Sequence, residues 1–239
     1  MLTETLRHIP FQPNLTLLMK HLHIKEHTPY AGRFAELAGQ AQAIAQPKAL
    51  YRLAFVEARG DDWVRVDGVR LTSRVLRVNL EHAHRLFAFV ATCGVELADW
   101  AAGWDDLLER YWAEALCEAA LYAALRRLEE RVEERYQPGR TAVMTPGSLP
   151  DWPLQEQRPL FTLLGDPASA IGVRLSESML MQPIKSISGI RFPTQEEFAS
   201  CQLCPRERCP GRRASYQEGL YEAKYRSPGQ IRPHQPDCP

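Results

Sequence analysis

IGVRLSESMLMQPIKSISG, residues 171–189, is the stretch on which the reading of this chain turns. It joins a short apolar strand, a glutamate set among hydroxyls, a Met-x-Pro step and a Ser-x-Ser-Gly turn. In an extended chain side chains alternate, so Leu175 and Glu177 are expected on one face and Ser176 and Ser178 on the other. Glu177 then either supports the turn at Ser186 to Ser188 or reaches a ligand. Met179 and Met181 read as adaptable core filler.

Upstream, PLQEQRPLFTLLG (153–165) reads as a short helix, and TPGSLPDWP (145–153) as a turn-rich stretch. The segment from Asp106 to Tyr136 is free of Gly and Pro. Its Leu108, Tyr111, Ala115, Tyr122, Leu125, Leu128, Val132 and Tyr136 recur at near-helical spacing. About thirty residues give a helix of roughly 45 Å, stopped at Gln137-Pro138-Gly139. Residues 81–100 are also expected to be helical, broken near Gly94. WVRVDGVRL (63–71) alternates around Asp67-Gly68, a two-residue hairpin signal. YRLAFVEA (51–58) precedes it, and residues 32–46 have helix composition with Phe34, Leu37 and Ala41 on one face. The expectation is one α+β domain over residues 1–200, with a helical and hairpin part over 1–80. Residues 201–239 form a Cys-rich, metal-binding or flexible tail.

The 239 residues are 45% apolar and 24% charged, the composition of a globular protein. The 29 basic and 29 acidic residues cancel, so no global field favours nucleic acid or an anionic membrane. Apolar runs fall short of the ~20 residues that span a bilayer, and MLTETLRHIPFQPN has no signal core. The expected location is cytoplasmic. Cys93 and Cys117 sit singly in apolar surroundings, whereas Cys201, Cys204, Cys209 and Cys238 cluster at the end. That spacing suits an iron–sulfur cluster or a tetrahedral zinc, with His234 as an alternative fourth ligand; free or bridged cysteines stay open. Arg206, Arg208, Arg212 and Arg213 make the tail locally basic. His21, His23 and His27, like His82 and His84, read as ordinary histidines rather than a metal site. There is no phosphate-binding Gly loop, nucleophile elbow or dinucleotide fingerprint.

The 171–189 stretch resembles the activation domain of cobalamin-dependent methionine synthase, where it runs roughly IGxxLTESxxMxPxxSVSG. Leu175, Glu177, Ser178, Met181, Pro183, Ser186, Ser188 and Gly189 fit without a gap. Glu134-Arg135-Tyr136-Gln137-Pro138-Gly139-Arg140 resembles the family's Glu-Lys-Tyr-Gln-x-x-Arg with the same separation. The Pro146-Gly147 turn resembles the family's Pro-Gly-Tyr, but Ser148 stands for the aromatic and the spacing from Arg140 is longer by three residues. The resemblance covers roughly residues 85–192.

It implies an α+β fold with a curved antiparallel sheet surrounded by helices, one of them long, and binding of S-adenosylmethionine. Glu134 and Arg140 would clamp the amino acid and ribose ends of that ligand, an arginine fork matching a carboxylate bidentately. Glu118, the only charge in ALCEAALYAAL (115–125), would balance positive charge, or else lie on the solvated side in line with Glu114. Pro146, Gly147, Glu177 and Ser178 complete the implied cofactor-binding set.

The function implied is that of a stand-alone activation protein supporting reductive methylation of an oxidised corrinoid. Cobalamin would be supplied by a partner methionine synthase or other corrinoid protein, and the electron by a donor such as a flavodoxin or ferredoxin. Two alternatives stand beside it. One is an iron–sulfur electron-transfer activator of a corrinoid protein; the other is a non-catalytic module that binds such a protein.

Overall fold

A single helix of thirty residues, Leu107–Tyr136, spans one face of the molecule. Asp106 caps it by accepting from the N–H groups of Leu108 and Glu109, and Gln137 ends it in the left-handed conformation before Pro138. The computed structural model describes residues 3–209 and 211–226. In chain order the elements are β1 (Thr3–Leu6), α1 (Leu15–His21), α2 (Pro29–Ile44), β2 (Lys48–Arg59), β3 (Trp63–Val66), β4 (Val69–Thr72), α3 (Arg74–Asn79) and β5 (Arg85–Thr92). Then come α4 (Val95–Ala102), α5 (Leu107–Tyr136), β6 (Thr141–Met144), α6 (Gln157–Leu164), α7 (Pro167–Ile171), β7 (Arg174–Leu175), β8 (Met181–Gln182) and β9 (Ser186–Pro193).

Seven strands form one antiparallel sheet in the order β4-β3-β2-β5-β9-β6, with β1 also paired to β2. The helices α2, α4 and α5 cover one face, where Phe34, Leu37, Tyr51, Phe87, Trp112 and Leu116 make one core. On the other face α3, α6 and α7 enclose a second core around Leu76, Leu86, Trp152, Leu160 and Phe192. The fold class expected from the sequence is therefore present, and the Asp67-Gly68 hairpin forms with both residues at positive φ.

Three local expectations are corrected. Residues 85–92 are the strand β5, not helix, and only 95–102 continue as one. Every residue of β5 after Arg85 is buried, because helices cover both sheet faces. Such a strand shows no alternation, and periodicity cannot separate it from a buried helix. The Ser-x-Ser-Gly segment is likewise not a turn but the start of β9, paired with β5 through Thr92↔Ser186 and Phe89↔Gly189. On α5 the buried stripe is Trp112, Leu116, Cys117, Leu121, Leu128 and Val132, while Leu108, Tyr111 and Tyr122 face out.

The described part of the tail is not a loose appendage. Phe198, Leu203, Cys204, Leu220 and Tyr221 pack on the second core, and Tyr225 lies wholly inside it. Tyr225 Oη donates to Asn79 Oδ1 at 3.0 Å, and Arg74 Nε donates to the Tyr225 carbonyl at 2.9 Å.

At the opposite edge, β1 is tied to α5 by one carboxylate. Glu4 accepts from the buried Tyr51 hydroxyl at 2.6 Å, from Arg131 Nε at 2.7 Å and from Arg135. Burial pushes the Glu4 pKa up, but these bonds together outweigh it and hold it below the ordinary 4.5. A carboxylate depressed in the folded state stabilises fully above its unfolded-state value. The contribution is lost as pH falls through the lower folded value. Glu4→Gln should therefore cost about 1–3 kcal/mol near neutral pH. The gap to the native protein should narrow below about pH 4 in urea unfolding curves; an unchanging gap would show that the carboxylate charge is irrelevant.

Candidate functional site

The end of β9, the turn between α5 and β6, and the α3–β5 connection converge on a cleft of ≈ 800 Å³. Pro138 and Arg140 form one wall, Val78 to Arg85 a second, and Pro193 to Glu196 a third; Lys224 of the tail completes it. Arg140 is placed there because Gln137 and Gly139, both at positive φ, turn the chain off the end of α5 into β6. Its volume is in the range of small-ligand sites.

The charges in this cleft are unevenly matched. Its two carboxylates already have cations: Glu81 is paired with Arg77 and Glu196 with Lys224. Among the described residues its two arginines have no carboxylate partner: Arg140 Nη1 donates to the Gln195 carbonyl at 3.3 Å, and Arg85 Nη2 to the Tyr136 carbonyl at 3.4 Å. The exposed imidazoles of His82 and His84 add two titratable groups. The arrangement offers spare guanidinium donors to an anion, with apolar walls from Val78, Ala83, Pro138 and Pro193.

The other residues singled out in the sequence do not gather here. Glu134 lies on the exposed side of α5, bonded to Arg127 at 3.0 Å and 3.4 Å and within 3.8 Å of Arg131. Arg127 foremost holds the Glu134 carboxyl below its ordinary range. Glu134 is thus paired with Arg127 and Arg131 and not with Arg140. Glu118 is exposed, one turn from Tyr122, on the solvated side of the helix. It sits about 24 Å along the axis from Glu134.

Pro146 and Gly147 lie at the far end of β6, about 13 Å of strand from Arg140. Gly147 N–H donates to the Trp152 carbonyl at 2.7 Å, and a Cβ on Gly147 would stand 3.0 Å from Leu154 Cδ1. This turn closes on the buried Trp152, with the Gly147 N–H committed to it.

Glu177 and Ser178 fall in the tight turn between β7 and β8, so Leu175 and Glu177 do not continue one strand. Ser176 Oγ accepts from Leu180 N–H at 3.0 Å and lies 2.9 Å from Ser178 Oγ. Glu177 is exposed. A hollow of ≈ 330 Å³ separates this hairpin from α6, floored by Phe161, Leu175 and Met179.

Among the described residues no three His, Cys, Asp or Glu side chains converge as metal ligands. Cys201, Cys204 and Cys209 are free and partly buried but do not form such a group. Cys238 and His234 lie outside the described residues. The Cys201 thiol is held below its usual range, chiefly by the Arg213 N–H at 3.4 Å. Cys117, deep in the first core beside Cys93, is pushed well up.

Residues 120–204 match the family model for the vitamin B12 dependent methionine synthase activation domain. The crystal structure of the MetH reactivation domain bound to AdoHcy superposes with a TM-score of 0.57 at 17% sequence identity. The match covers 83% of this chain and 81% of that one. Over residues 120–204 the chain is similar to a methionine synthase-type activation domain. Among curated proteins none matches. The family match begins within α5 and takes in β6, the β7–β8 hairpin and β9. Strands β1 to β5 of the sheet lie before it. No helix among the described residues is long and apolar enough to cross a membrane.

Of the cleft's residues, sequence reasoning selected only Arg140 for the ligand. His82 and His84 carried a signal, but as a discounted metal pair. Thr194, Glu196 and Lys224 carried none, since a tail thirty residues from β9 has no local mark of where it docks.

Proposed function

We propose that this activation domain binds S-adenosylmethionine, or its product S-adenosylhomocysteine, in the cleft around Arg140. There it supports reductive methylation of cobalamin held by a partner protein. The observation that carries the reading is the Arg140 guanidinium: it stands in a small-ligand cleft, with one carbonyl contact among the described residues, in the segment that matches the family. Its free N–H donors fit the α-carboxylate of such a ligand as a fork. The apolar wall of Val78, Ala83 and Pro138 fits an adenine or ribose face, and the Thr194 hydroxyl stands beside it. The bound ligand would supply a methyl group to the partner's cobalt. This chain contributes orientation and exclusion of water rather than acid–base chemistry. The corrinoid protein and the electron donor, of flavodoxin or ferredoxin class, remain separate components in this proposal.

Calorimetric titration tests the reading. Saturable binding of S-adenosylhomocysteine is expected, with Arg140→Ala weakening it by about 2 kcal/mol, roughly thirtyfold, the scale of a charge-assisted bond. Glu134→Ala should leave affinity within about twofold, since that carboxylate serves an exposed ion-pair network. No heat with the native protein, or equal loss in both variants, would sink the assignment of the cleft.

A further inference from the structure

Residues 199–209 and 211–214 surround two sulfurs, those of Cys201 and Cys204. Cys204 N–H donates to the Cys201 carbonyl at 3.3 Å, closing one 3₁₀ turn over Ser200–Leu203. In that geometry side chains three apart eclipse, with their Cα atoms about 6 Å from each other. Disulfide-linked residues have Cα separations of about 4.4–6.8 Å, so the turn brings these two cysteines within that range.

One guanidinium holds the turn in place. Arg212 Nη1 donates to the Cys201 carbonyl at 3.2 Å and to Ala214 at 3.1 Å; Nη2 donates to the Cys204 carbonyl at 3.2 Å and also to Arg206. The sulfurs differ in their surroundings. The Arg213 N–H points at Cys201 Sγ from 3.4 Å, whereas Cys204 packs against the second core with Leu203 and Tyr221. No third metal-ligating side chain joins them among the described residues. Two partly buried sulfurs three residues apart, with no third ligand beside them among the described residues, suit thiol–disulfide chemistry.

We propose that Cys201 and Cys204 form a dithiol–disulfide couple whose co-substrate is a low-molecular-weight disulfide of the glutathione type. The Cys201 thiolate attacks one sulfur of that disulfide; a Cys201–S bond forms, the S–S bond breaks and one small thiolate leaves. Cys204 gives its proton to solvent and attacks Cys201 Sγ, forming the intramolecular bond and expelling the second small thiolate. The two cysteines lose two electrons and two protons, and the small disulfide gains them as two thiols. Arg213 N–H stabilises the attacking sulfur, and Arg212 keeps the resolving one within reach.

The test equilibrates the full chain with reduced and oxidised glutathione over a range of ratios, followed by acid quench, alkylation and peptide mapping. Thiols counted in the denatured protein should fall by two, and the map should join Cys201 to Cys204. Cys204→Ser should retain one glutathionyl group on Cys201. Cys201→Ser should react at Cys204 at least about tenfold more slowly than the native Cys201 does. Unfolding curves check that both variants are folded. Full alkylation of both cysteines at every ratio, or a bond to a different cysteine, overturns the proposal. So does stoichiometric metal in the native protein that either substitution removes.

Discussion

Tyr225→Ala is expected to lower the unfolding free energy by about 3–5 kcal/mol, the range for removing a fully buried aromatic ring. The ring is 1% exposed and stands between Phe198 and Tyr221, at centroid distances of 6.4 Å and 6.2 Å. Its loss leaves a void in the second core beside Leu220 and α3, where little can collapse to fill it. Tyr225→Phe separates the hydroxyl from the ring. It removes only the bond to Asn79 and should cost about 1 kcal/mol. Equilibrium urea unfolding of the three proteins settles the order. A loss under about 1 kcal/mol for the alanine variant would mean that the C-terminal segment does not belong to the folded core.

Gly189→Val should be the second severe substitution, at about 3 kcal/mol or more, the upper end of overpacking costs. Gly189 sits in β9 between β5 and β6, and a Cβ there would lie 2.5 Å from the Met144 carbonyl oxygen. Thr145 Cγ2 and Phe89 Cζ would stand at 3.0 and 3.1 Å. The nearest obstacle is backbone on the neighbouring strand, so no rotamer change relieves it. Gly32→Ala is the control: nothing lies within 4 Å of its added methyl in α2. That change should gain up to about 1 kcal/mol by restricting the unfolded chain. Thermal or urea unfolding in which Gly189→Val matches the native protein would refute the packing account of this glycine.

The contrast between those two glycines also shows what a sequence makes legible. The helix from Asp106 to Tyr136 and the Asp67-Gly68 hairpin are written locally, in a cap, a stop and a turn dipeptide, and both form as expected. Gly189 is required by a strand forty-five residues earlier in the chain, so its neighbours suggest a turn while the sheet makes it a strand. For β5 the missing signal is physical: burial on both faces erases the alternation that marks a strand. The site divides in the same way. Arg140 was found through its resemblance to a motif. Glu134 shares that motif, but Arg127 lies two helical turns away on the same face and pairs with it. Which of two competing partners a carboxylate takes is decided by side-chain geometry, and spacing alone does not carry that information.

The cleft around Arg140 has walls from residues 78–85, 138–140, 193–196 and 224. No single stretch of chain contains more than half of it. A nascent polypeptide growing from its N-terminus therefore has no complete binding surface until residue 224 has cleared the ribosome and docked. On the proposed reading, residue 224 must be in place for the ligand to be captured. Once it is captured, every route that unfolds one wall must first release it, so ligand at a hundred times its dissociation constant would add about 2.7 kcal/mol against unfolding as a whole.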